Sequence, residues 1–232
     1  MKRLQTEIAN KAATLETLAQ RVVSQPELLQ EVFEGLGAPK ARIKYGCLKL
    51  LRILSETKPA LLYPEIGKLF DLLESENNIL KWGAIIIVGN LAAVDSESRI
   101  DGVLERYLQP ISGPVLITAA NVIGGAGRIA QAKPYLADQI ARALLQVEAA
   151  SYQTAECRNV ALGHAVGSLD LIFEHLKQPQ PVVEFVKRQL NNDRDAVKRK
   201  ATRFLKRHAQ PAKTAGARAT SSTEVTRRDQ RK

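Results

Sequence analysis

A chain of 232 residues with 45% apolar side chains is long enough for one sizeable domain or two small ones with a real core; with only 5% aromatic residues, that core must be built from Leu, Ile, Val and Ala. The longest apolar run, Gly83 to Gly89, is far short of the ~20 residues of a membrane span, and the N-terminal MKRLQTEIANKAATLETLAQ lacks the central apolar segment of a secretory signal, which points to the cytoplasm. The net charge of +10 sits at one end: residues 187–232 carry fifteen Lys or Arg against four Asp or Glu, net +11, and residues 1–186 carry nineteen against twenty, net −1, so long-range charge selects partners only at the C-terminal end.

Apolar residues recur at helical spacing nearly throughout, and no stretch alternates as a half-buried strand would, so the chain reads as all-α. A first helix is predicted over 5–22, followed by five helix pairs: 26–36 with 40–56, 60–75 with 78–94, 97–109 with 114–131, 134–149 with 155–177, and 181–191 with 194–208. Ser24-Gln-Pro-Glu27 has capping-box spacing, and Asn77, Ser112, Thr154 and Asp193 are further N-cap candidates, since a short polar side chain can accept from a free amide of the first turn. Residues 1–209 read as one domain. Residues 210–232 are rich in Ala, Thr, Ser and Arg and poor in large apolar groups; they cannot bury enough surface to offset the entropy of ordering and read as a disordered basic tail.

Set in register, the second helices align Tyr45-Gly46-Cys47, Trp82-Gly83-Ala84, Thr118-Ala119-Ala120, Val160-Ala161-Leu162 and Lys200-Ala201-Thr202, with central small residues 37, 36, 42 and 40 positions apart. A period near forty with a helix pair in each unit marks a repeat array. Six positions further on, the three middle units carry Gly89, Gly125 and Gly167. Glycine inside a helix costs roughly 1 kcal/mol relative to Ala, so three in register predict close packing between successive units.

Two positions before the small residue stand Lys44, Lys81, Ile117, Asn159 and Arg199. A basic residue two before a small one, on the second helix of each pair, resembles the HEAT-repeat family. Lys44-Tyr-Gly46, Lys81-Trp-Gly83 and Arg199-Lys-Ala201 match; the third unit departs with Ile117, and the fourth with Asn159 beside Arg158. The family's acidic turn residue matches only near Asp193 and Asp195, with Asn77 and Ser112 in its place elsewhere. The resemblance covers roughly residues 24–209. It implies an α-solenoid of five HEAT-like pairs with an N-terminal capping helix, its second helices lining the concave side. Lys44, Lys81, Asn90, Thr118, Asn121, Arg158, Asn159 and His164 are then candidates for a protein-binding groove, while Lys44, Lys81 and Asn159 could instead cap turns or bridge units. Asn121 stands among Ala119, Ala120, Val122 and Ile123; a buried amide there needs a hydrogen bond, without which it costs about 1–3 kcal/mol.

Lys198, Arg199, Lys200, Arg203, Lys206 and Arg207 form a basic patch on the last helix, suited to phosphates or an acidic surface, or to the polar outer face of a terminal repeat. His164, His175 and His208 are the only histidines, and none has a legible catalytic partner: His164 reads as a core or groove residue, and His208 as a cation at a helix end. Gly124-Gly-Ala-Gly127-Arg128 lacks the preceding strand and the Gly-Lys-Ser/Thr ending of a phosphate loop and falls mid-helix, where close packing or a kink explains it. Cys47 and Cys157, 110 positions apart, read as buried reduced thiols without metal-ligand spacing. No metal or cofactor is expected. The functional expectation is a non-catalytic scaffold or adaptor for a protein partner, with nucleic-acid binding through the C-terminal region as the alternative. A HEAT-like enzyme of the alkylpurine DNA glycosylase or bilin lyase kind is a third reading; Trp82, the only Trp, weighs against the first kind, whose cleft is lined by Trp and Asp.

Overall fold

The computed structural model describes residues 3–208, and these are helices and their connections, with no strand among them. The expected tail at 210–232 lies outside the described residues.

The helix expected over 5–22 is two helices, α1 (Arg3–Asn10) and α2 (Leu15–Ser24). The chain breaks at Lys11, which adopts a left-handed φ of 53°, and Thr14 restarts it by accepting from the Thr17 amide at 3.2 Å. Ser24 closes α2, its hydroxyl donating to the Gln20 carbonyl, so the expected capping box does not form. The next helix, α3 (Leu28–Gly35), starts behind Glu27 without a side-chain cap.

After α4 (Ala41–Thr57) come α5 (Pro59–Leu62) and α6 (Ile66–Leu72), then α7 (Asn78–Leu91). The short α8 (Leu104–Leu108) precedes α9 (Leu116–Ala132), α10 (Ala137–Leu145) precedes α11 (Ala155–Ile172), and α12 (Gln180–Arg188) precedes α13 (Asp195–His208). Single 3-10 turns extend most of the short helices. Asn77 caps α7 by accepting from Ile79 and Leu80, and Thr154 caps α11 by accepting from Cys157, both as expected. Ser112 does not cap: it ends a 3-10 turn, Gly113 swings the chain at φ 101°, and α9 begins only after Val115. Before α13 it is Asn192 Oδ1, rather than Asp193, that accepts from the following turn, at Arg194 N and 2.9 Å.

The long helices form a row: α4 packs on α7, α7 on α9, α9 on α11, and α11 on α13, while α1 and α2 both pack on α4. One apolar cluster runs through all of them from Leu4 to Phe204. Small residues set the spacing. A Cβ on Gly46 would lie 2.3 Å from Ile8, and one on Gly83 2.5 Å from Leu48. At the α7–α9 contact Gly89 faces Gly125, where an added Cβ would stand 2.9 Å from the opposite Cα. Gly125 also leaves room for the buried Tyr107 hydroxyl, which donates to the Ile85 carbonyl at 2.8 Å; burial pushes this phenol's pKa up. Gly167 departs from the expected pattern, since a Cβ there meets nothing closer than Lys200 Nζ at 3.9 Å. The α9–α11 contact uses Gly127 instead, against Ser168, whose hydroxyl donates to Ile123 O at 2.9 Å.

Polar links between successive helix pairs join residues 33–36 positions apart in sequence. Asn90 Nδ2 donates to Ser55 Oγ at 2.9 Å across 35 positions, Trp82 Nε1 to Thr118 Oγ1 at 2.8 Å across 36, and Asn192 Nδ2 to Asn159 Oδ1 at 3.1 Å across 33. The deepest link is ionic. Lys133 Nζ lies 2.8 Å from both Asp95 and Asp101, with the Lys133 side chain 6% exposed and that of Asp95 0%. Asp95 also accepts from Tyr63 OH at 2.7 Å and from the amides of Arg99 and Ile100. Burial alone would push the Lys133 ammonium down, but its bonds to Asp101, Asp95 and Tyr135 hold it above the usual lysine value. Burial would likewise raise Asp95, and its bonds from Lys133, Tyr63 and Ile100 outweigh that and hold it below the usual carboxylate range. Cys47 is buried against Gly35, and burial with the nearby Glu31 charge pushes its thiol up to about 12. Cys157, expected to be buried, is only partly so.

Candidate binding face

Each long helix carries a line of half-buried and exposed side chains. On α4 it is Tyr45, Lys49, Arg52 and Glu56; on α7, Ile79, Trp82, Ile86 and Asn90, continued by Ala93. On α9 it is Ile117, Asn121, Gly124, Arg128 and Gln131; on α11, Val160, His164, Gly167 and Leu171; on α13, Arg199, Arg203 and Lys206. Steps of three and four at 3.6 residues per turn keep each line on one face of its helix. The lines on α4, α7 and α9 meet in a groove of about 600 Å3, whose walls include Ser55, Glu56, Asn90, Arg128 and Gln131.

The face carries large apolar side chains in the open: Ile79 is 44% exposed, Ile117 53% and Leu171 51%. About three turns along α9 from Ile117 stands the guanidinium of Arg128. Its Nε is buried without a partner, and the side chain makes no hydrogen bond or ion pair among the described residues. It packs against Gly89, where an added Cβ would stand 3.4 Å from Nε. Further along, partial burial and the charges of Lys200 and Arg194 lower the pKa of His164. Lys200 donates to the Gly163 carbonyl at 2.7 Å, its own pKa lowered by burial and by Arg194 and Arg203.

Of the groove residues expected from sequence, Asn90, Asn121 and His164 lie on this face. His164 is exposed, which fits the groove rather than the core side of its reading, and the Asn121 amide is half-buried without a hydrogen-bond partner among the described residues. Lys44 and Lys81 are half-buried on the flanks of α4 and α7; Lys81 lines a separate cleft of about 200 Å3 with Glu74 and Arg106. Thr118 is buried and takes the Trp82 bond. Asn159 bridges to Asn192, and Arg158 is exposed on a different side of α11 from His164.

The basic patch divides in two. Lys198 pairs with Asp195 at 3.1 Å, Arg207 pairs with Asp170, and Lys200 is held by Gly163 O. Arg199, Arg203 and Lys206 have no partner among the described residues and form the exposed line of α13. His208 ends α13 as expected, but with its side chain only 5% exposed, Nε2 2.9 Å from Asp170 and Nδ1 3.2 Å from Glu174. Its ring packs on Phe173 and Phe204, with centroids 4.1 and 4.6 Å away.

Sequence reasoning missed Trp82, Ile86, Arg128 and Gln131 as members of the face. The signal was their three-and-four spacing, masked because α7 and α9 are apolar nearly all round. No helix among the described residues is long and apolar enough to cross a membrane. Among the same residues, no three His, Cys, Asp or Glu side chains gather as metal ligands would.

No family model matches the sequence, and no curated protein does. Among solved structures, the crystal structure of an engineered protein, a Northeast Structural Genomics Consortium target, is similar with a TM-score of 0.55 at 12% identity, over 89% of this chain and 96% of its own. A likeness at that identity concerns the fold alone.

Proposed function

We propose that this chain is a HEAT-type α-solenoid that works by binding, holding a segment of a protein partner along the open face of its long helices. The observation that carries the reading is the composition of that face. Exposed Ile79, Ile117 and Leu171 offer apolar anchors in line with Trp82 and Ile86, and Asn90, Asn121, Arg128 and Gln131 supply hydrogen-bonding groups beside them. Apolar side chains left open among polar ones mark interaction surfaces in soluble proteins. The solenoid part of the reading is supported by the unbroken row of long helices and by polar links reaching one unit along the chain. In this reading α1 and α2 close the first unit, and the charged line of α13 is the polar outer surface a terminal unit needs. A cytoplasmic setting belongs to the same proposal.

The test is affinity purification with mass spectrometry on the full chain and its Ile86→Glu variant, each with and without nuclease. A protein partner recovered despite nuclease and lost with Ile86→Glu supports the reading. A partner recovered equally by both counts against this face. Because Ile86 is half-buried, a thermal melt of the variant accompanies the comparison.

A second reading, nucleic-acid binding, draws on Arg199, Arg203 and Lys206, three cations without a partner among the described residues. Neutralised phosphates make such binding salt-dependent. Fluorescence anisotropy with duplex and single-stranded DNA and RNA tests it; no binding at low salt ends it.

A further inference from the structure

We infer that the groove around Arg128 receives a carboxylate side chain of the protein partner, an inference that rests on the binding reading above. Arg128 lies between α7 and α9, its Nε buried and unbonded and the rest of its guanidinium without a counter-charge among the described residues. The Gly89–Gly125 contact brings the two helices together beneath it, with Nε in van der Waals reach of Gly89. The guanidinium is therefore held in place by packing, already partly stripped of water, and turned toward an open groove of about 600 Å3. A planar fork of donors in that condition matches a carboxylate, whose two oxygens can take parallel N–H bonds.

The surroundings favour a single carboxylate over a phosphate. Glu56 lies on the same groove, already paired with Arg52 at 3.1 Å. The groove also sits near the C-terminal ends of α4, α7 and α9, where the helix dipoles are negative. Both features repel a dianion more than a monoanion. Asn90 commits Nδ2 to Ser55, which leaves its carbonyl to accept from the partner's backbone, and exposed Gln131 offers a second amide. The fitting occupant is thus a peptide that places Glu or Asp over Arg128, its flanking residues on Asn90 and Gln131.

A displayed library of random twelve-residue peptides, with an added phosphoserine arm, is selected on the full chain, on Arg128→Gln, on Arg128→Lys, on Arg128→Glu and on Ile86→Glu. Wild type is expected to enrich Glu or Asp at one fixed position by about tenfold, in line with a charge-assisted bidentate bond. Arg128→Gln should lose that enrichment and Arg128→Glu should reverse it toward Lys and Arg. Arg128→Lys, which keeps charge without the fork, should retain only part, and it decides the matter should Arg128→Gln melt early. Peptides that need Ile86 yet show no acidic preference, keep it in Arg128→Gln, or prefer phosphoserine would overturn the carboxylate inference while leaving the binding face intact. Peptides indifferent to Ile86→Glu, or none at all, would overturn both.

Discussion

The α7–α9 and α11–α13 contacts both join neighbouring long helices, yet they are closed by different chemistry. Between α7 and α9 the backbones meet at Gly89 and Gly125, the Tyr107 hydroxyl is sealed inside, and nearby Asp95 and Lys133 pair almost out of reach of water. Between α11 and α13 the apolar contact of Val197, Ala201 and Phe204 is flanked by Arg207–Asp170 and Arg194–Glu156, with the two arginine side chains 56% and 42% exposed. The first contact depends on steric fit and on a charge pair that cannot lose one member. The second depends in part on ion pairs that salt screens and that contribute little singly.

The largest effect that would break this contrast is at Lys133. Lys133→Met leaves Asp95 buried without its cation and should cost about 3–5 kcal/mol in urea denaturation; Arg207→Ala should cost about 0–1 kcal/mol. Equal losses would mean the two ends are held alike. Next come the glycines. Gly125→Ala sets a Cβ 1.8 Å from the Tyr107 hydroxyl and should destabilise by about 1–3 kcal/mol. Gly163→Ala brings a Cβ to 3.1 Å from the buried Val197 methyl, a far milder clash that the gain in helix propensity, up to about 1 kcal/mol, offsets in part, so its melting temperature should fall much less than that of Gly125→Ala.

Acid sharpens the comparison. The folded pKa of Asp95 lies below its ordinary 3.8, so its contribution is complete above that value and is lost as pH falls from there through the lowered one. Hydrogen exchange near pH 3 should therefore show α7 and α9 opening more readily than at pH 7. The smallest effect is salt. Raising ionic strength from about 0.01 M to about 1 M shortens the screening length from about 30 Å to about 3 Å, which should speed amide exchange in α13 and leave α7 and α9 unchanged.

What the sequence made legible follows from the range of each signal. The starts of α7 and α11 could be read because Asn77 and Thr154 act on amides two and three residues away. The small-residue register marked the close approaches at Gly46, Gly83, Gly89 and Gly125 but not the α9–α11 contact, which uses Gly127 rather than Gly167. The Lys133–Asp95 pair could not be read, since its partners stand 38 positions apart and neither belongs to a local period. The binding face was only partly legible. Asn90, Asn121 and His164 stand out as polar on apolar helices, whereas Trp82 and Ile86 look like core until the neighbouring helices reveal the side left open. The break at Lys11 carries no Gly or Pro to announce it.

Because the polar links of Asn90, Trp82 and Asn192 reach back or forward by 33–36 positions, and that of Ser168 to Ile123 by 45, the chain gains these contacts from stretches close to one another in sequence. Wiring of this range keeps the entropy of loop closure low and lets structure grow outward from any formed pair of neighbours. Folding should accordingly be quick for a protein of this length, and damage at one joint should stay confined to the joints beside it.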